Sequence, residues 1–238
     1  MTGRFLFGFV LLFLFPGVVS AFLKFGEAVL RVPQWLVPFL VGSLLGVIFD
    51  LSVFRRILVL DTFRHELAHA FAAMMFFRRV NRFVVTRYSG GGISWDGGFG
   101  GKLADDIIGL TPYTVPTFYF VSVLMRPLLT TSWFPWFDVW IGFAFGFHLW
   151  GGLRDIKWNW SKQPFIGARS GNQTVTDIAR RGYVFSFIYI VTVTFMIHGV
   201  LLSVMLKGYG GIISWGQQFW SVTQGVVDLI PKMTNLVN

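Results

Sequence analysis

Asp61-Thr62-Phe63-Arg64-His65-Glu66-Leu67-Ala68-His69-Ala70 stands in the middle of an apolar run over residues 57–77. A run of about 20 such residues matches the hydrocarbon thickness of a bilayer when it is helical. At about 100° per residue, Asp61, Thr62, His65, Glu66 and His69 fall within roughly 140° of arc, while Leu60, Phe63, Leu67, Phe71 and Met74 take the opposite face. Ala72 and Ala73 join the polar side, where their small size leaves room for a substrate chain. Ionisable groups at bilayer depth are costly unless paired, coordinated or hydrated, so several stacked together mark a functional site.

The rest of the chain extends this reading. Of its 238 residues 54% are hydrophobic and only 13% charged, against roughly 25% charged in an ordinary soluble domain, and mean hydropathy is +0.63. Further apolar runs cover 5–22, 36–54, 107–129, 135–153 and 183–206. The expected fold is an all-α multi-pass membrane protein of about six transmembrane helices. It forms a single integral membrane domain over 1–238, with a core at about 36–206 and an interfacial C-terminal segment at 207–238, where Trp215, Phe219 and Trp220 lie among polar residues. The first run ends Val18-Val19-Ser20-Ala21, compatible with a cleaved signal but read here as a retained anchor. Disordered, fibrous and disulfide-rich classes are excluded, the last because the chain has no cysteine.

A net charge of +9 would suit nucleic-acid binding if it lay on a folded soluble surface. Instead the basic residues gather between apolar runs, at Arg78, Arg79, Arg82 and Arg87 and again over 154–181. That is the pattern of cytoplasmic loops, and it places the helices between them in a hairpin with its tip outside. Nucleic acid is therefore not an expected partner; the lipid bilayer is. Between the third and fourth runs, segment 89–101 reads SGGGISWDGGFGG, too rich in glycine for a stable helix. Preceded by the strand formers of 82–88, it is read as a small β-hairpin or re-entrant loop, with a flexible connector as the alternative.

His65-Glu66-Leu67-Ala68-His69 is an HExxH pattern. Histidines at i and i+4 on one helix face can both reach a single Zn²⁺, and the glutamate can reach the water that the metal activates. With four histidines and two glutamates in the chain, chance yields roughly 5×10⁻⁴ such windows, so coincidence is a poor explanation. Arg64 lies off the stripe and is read as pairing with Asp61 or snorkelling. Catalytic zinc usually takes three protein ligands. His148 and His198 sit in apolar runs as helix-packing hydrogen-bonders, which leaves the aspartates. Asp155, opposed by the macrodipole at a helix C-terminus, ranks first; Asp177, whose bland role is an N-cap, follows; Asp96 in its glycine turn is last.

HELAH within a membrane helix, the Ser89-Gly90-Gly91-Gly92-Ile93 segment, the helix containing Gly109-Leu110-Thr111-Pro112-Tyr113-Thr114-Val115-Pro116 and the late aspartates together resemble the site-2 protease class of intramembrane zinc metalloproteases, peptidase family M50, particularly its M50B-like branch. The resemblance implies zinc-dependent cleavage of a transmembrane protein substrate, with His65 and His69 as ligands, Glu66 as base and a distant aspartate, Asp155 or Asp177, as third ligand. The family's Leu-Asp-Gly motif is not present in this chain. It also implies residence in a membrane, here expected to be a bacterial cytoplasmic membrane. An inactive metal-binding scaffold that keeps HELAH is the alternative. A di-iron desaturase would need more histidines than four, and a transporter would spread its ionisable groups over several helices.

Overall fold

The computed structural model describes residues 2–31, 33–53, 58–86, 91–161 and 177–237, and these are mostly helical. Helices α1 (Thr2–Leu30), α2 (Pro33–Ser52) and α8 (Tyr183–Lys207) are long and apolar enough to cross a bilayer. The run expected as one helix over 107–129 is instead two limbs, α4 (Gly101–Leu110) and α5 (Thr117–Met125), part of a bent pair that meets at 83° and makes a fourth crossing if it counts as one span. Pro112 and Pro116 account for the break: neither has an N–H to give, and residues Thr111–Tyr113 tighten into a 3₁₀ turn. Helices α3 (Leu58–Met75) and α6 (Phe134–Ser161) have the length. Their polar residues, among them Arg64 and Glu66 in one and Asp138, Arg154 and Asp155 in the other, lower their apolar character. Three or four helices of spanning character thus stand, among the described residues, where six runs were read.

Glycine spacing holds the helices together. Gly42 and Gly46 of α2 press on the backbone at Val139 and Phe143, and Gly142 and Gly146 of α6 press back on Phe39 and Ser43, so closely that a methyl group at any of the four would collide with a carbonyl. This is reciprocal small-xxx-small packing, the usual way for apolar helices to bring their backbones together. Helices α1 and α8 lie side by side in the same direction, Phe7 against Phe185 and Phe22 against Phe195. Helix α9 (Gly210–Val237) returns along both, with Trp215 against Gly199 and Thr223 against Gly17. Large apolar side chains on α1 and α2 point outward, Phe5 being 82% exposed. Such surface is disfavoured in water and ordinary in lipid. At the end of the fold away from Arg4, Arg126 makes a buried bidentate pair with Asp138 at 2.6 and 3.0 Å and donates to the Met205 carbonyl, so that its charge is fully engaged.

The glycine-rich segment forms the expected hairpin within what is described. Strands β1 (Arg79–Val85) and β2 (Gly91–Asp96) pair antiparallel, from Arg79 opposite Asp96 to Val85 opposite Gly91, with an irregularity between Val80 and Arg82. Ser89 and Gly90 lie outside the described residues. Asp105 of α4 anchors the open end of the hairpin, accepting bonds from Arg78 at 2.7 Å and from the Trp95 indole at 2.9 Å.

Candidate metal centre

Helix α3 inverts the usual helical wheel: Leu60, Phe63 and Met74 are exposed, whereas Glu66, at 8% exposure, and His69 are buried. Ala72 and Ala73 do not leave the space read from sequence. Both are buried against Ile108, and Ala73 is wholly enclosed. Their small size has another effect, which is to admit α4 close enough for the Ile108 carbonyl to stand 2.8 Å from His69 Nδ1. An imidazole that donates there keeps its Nε2 lone pair for a cation.

Three donors converge opposite that nitrogen. Asp177, which opens the short helix α7 (Asp177–Arg181), holds its Oδ2 at 3.5 Å from His65 Nε2 and at 3.5 Å from His69 Nε2. The ligand atoms of His65, His69 and Asp177 all lie within 4.8 Å of one another, a group that can hold a metal ion. Asp177 is kept in place by Arg181, whose Nη1 donates to both its main-chain carbonyl and its Oδ1 at 2.9 Å. Burial opposes charge on Asp177, but hydrogen bonds and charge from His65 and His69 hold its carboxyl well below the usual carboxylate range. Arg181 is in turn braced against Asp106, 3.9 Å away, which Arg4 of α1 grips with two bonds of 2.5 Å.

Asp155, ranked first on sequence grounds, stands behind His65 and outside that group. Its Oδ2 lies 3.6 Å from His65 Nδ1 and accepts a bond from Arg64 at 3.0 Å. A carboxylate on the far nitrogen of a ligating imidazole orients the ring and raises its basicity. Arg64 is thereby explained: it reaches across to α6, over the Phe147 ring, and fills the space that Gly151 leaves by having no side chain. The side chain of Asp61, its expected partner, lies outside the described residues. Asp96 ends β2 on the exposed side of the hairpin. His198 bonds the Thr194 carbonyl at 2.8 Å and stacks on Tyr119, as expected of a packing histidine, and His148 lies beside it.

No family model, curated protein or solved structure matches the chain. Two imidazole nitrogens and one carboxylate oxygen, each backed by a second polar group, form a donor set that could hold a metal ion.

Two residues beside the group, read from sequence only as parts of longer segments, had no role of their own there. The start of β2 runs so close to α3 that a Cβ at Gly91 would stand 2.6 Å from Thr62 Cγ2, 2.7 Å from Glu66 Cγ and 2.9 Å from Glu66 Oε1, so a side chain there would displace Thr62 and Glu66. Tyr113, in the turn between α4 and α5, sets its ring edge-on to His65 at 5.7 Å. The one available signal for Tyr113 was its place between Pro112 and Pro116, where a broken helix points side chains inward. On the other side of His65 a cavity of about 20 Å³ opens between Arg64, His148 and Asp155, room for about one water with polar partners.

Proposed function

We propose that this chain is an integral, multi-pass zinc metalloendopeptidase of a bacterial cytoplasmic membrane, which cleaves peptide bonds of membrane-embedded or membrane-adjacent protein substrates. The observation that carries the reading is the convergence of His65, His69 and Asp177 beside the buried carboxylate of Glu66. His65 Nε2, His69 Nε2 and Asp177 Oδ2 would hold the ion, with Asp155 behind His65 and Arg181 behind Asp177. When bound, zinc supplies Lewis-acid polarisation of a carbonyl and lowers the pKa of water toward about 7.

The residues of the chain do the rest. Glu66 accepts a proton from the attacking water as its oxygen adds to the scissile carbonyl carbon, then delivers that proton to the amide nitrogen as the C–N bond breaks. The cavity at His65 has room for about one water. Strand β2, with Gly91 against Glu66, offers backbone groups at which an unwound substrate segment can add as a further strand. The outward apolar surface of α1 and α2 supports the membrane setting, and six crossings follow if α3, α6 and the bent α4–α5 unit each pass through the bilayer.

The test is to purify the protein in detergent, measure zinc per chain, and compare wild type with Glu66→Gln on a panel of membrane-segment substrates. Equal zinc in both with cleavage by wild type alone is expected. Equal cleavage by both removes Glu66 as base; zinc without cleavage by either favours the inactive scaffold; no zinc in either removes the metalloenzyme reading.

A further inference from the structure

Tyr113 is 3% exposed, and its hydroxyl is buried without a hydrogen-bond partner. Buried phenols ordinarily end on an acceptor, and leaving one unsatisfied is destabilising. The other deeply buried tyrosines behave ordinarily: the Tyr119 hydroxyl meets the Met205 sulfur and that of Tyr189 meets Thr114. Among the described residues, then, an unengaged phenol of this kind occurs once, and it stands at the candidate metal centre. Its ring lies against His65, and its hydroxyl is within electrostatic reach of Asp177, Asp155, Arg181 and Glu66.

Three of these neighbours are carboxylates, which accept. Around them the guanidinium groups are held by carboxylates, Arg64 by Asp155 and Arg181 by Asp177 with its Nε turned toward Asp106 3.9 Å away, and the Nδ1 of His69 is turned to Ile108. A peptide carbonyl attacked by water needs the reverse, a preorganised donor aimed at the oxygen on which negative charge develops. The 83° bend between α4 and α5 fixes the backbone that carries Tyr113, so the donor is in place before substrate arrives.

We propose that the Tyr113 hydroxyl donates a hydrogen bond to the carbonyl oxygen of the scissile peptide and stabilises the charge that builds there, acting as a catalytic residue beside Glu66. The inference rests on the hydrolase reading above. The O–H bond is kept throughout; the only proton that moves is the one Glu66 carries.

Tyr113→Phe removes one oxygen and keeps the ring, and it is compared with wild type in four measurements: zinc per chain, thermal unfolding midpoint, kcat and KM on one membrane-segment substrate, and the affinity of a phosphinic peptide, whose tetrahedral oxyanion mimics the attacked carbonyl. The expectation is unchanged zinc, a midpoint equal to or above that of wild type, KM within about twofold, kcat lower by about 10²–10³-fold, and phosphinic-peptide affinity lower by a comparable factor. Unchanged kcat and inhibitor affinity overturn the proposal, and so does loss of zinc, which would make Tyr113 a support for a ligand. If wild type neither cleaves nor binds the phosphinic peptide, the hydrolase reading falls and this inference with it. If wild type does both and Tyr113→Phe matches it, only the role of Tyr113 falls.

Discussion

Asp177 is held at its main-chain oxygen and at Oδ1 by one guanidinium, which turns Oδ2 towards both histidines. Asp155 meets the same pair of residues only through the rear of His65. Asp177→Ala is therefore expected to abolish stoichiometric zinc binding, while Asp155→Ala and Arg181→Met keep the ion at roughly 10–100-fold weaker affinity; titration against a competing chelator separates the three. Strong binding by Asp177→Ala would remove it as a ligand. His65, Glu66 and His69 were legible because their geometry is local: residues at i, i+1 and i+4 of a helix share a face whatever the rest of the chain does. The choice between Asp155 and Asp177 depends on how α6 and α7 dock on α3, which no local spacing records. Arg64 shows the same limit, since its partner lies 91 residues away.

At the level of helices, packing by small residues makes a different kind of demand. Gly142 meets the Phe39 carbonyl and Gly146 that of Ser43 with no slack, so Gly142→Leu should destabilise by about 1–3 kcal/mol or more through overpacking. Gly216→Ala, at a position of α9 with nothing within 4 Å, should leave the protein at least as stable as before, and up to about 1 kcal/mol more stable. Thermal unfolding in detergent checks both, and a Gly142→Leu midpoint equal to wild type would refute the packing account. The pairing of Gly42 and Gly46 with Gly142 and Gly146 was present in the sequence as two four-residue spacings and could have been read there. The bend between α4 and α5 was harder, because hydropathy counts apolar residues and is blind to the missing N–H of Pro112 and Pro116. The hairpin was legible in outline, from strand formers followed by glycines.

Over the whole molecule, apolar side chains face outward along the long helices while charges face one another within: Arg126 with Asp138, Arg154 with Asp50, Arg4 with Asp106. A chain arranged in this way should stay with the bilayer through an alkaline carbonate wash and be released only by detergent; recovery in the aqueous wash would overturn the membrane assignment. Composition made this arrangement legible, because charges so scarce have to be paired. The pairs themselves join distant segments and emerge only with the fold. One of them bears on the order of manufacture. A ribosome delivers Arg4 first, then His65 and His69, and only much later Asp177 with Arg181 four residues behind it. Until Asp177 has emerged the chain therefore holds at most two of the three donors, so in the proposed protease the metal site of a half-made copy is incomplete.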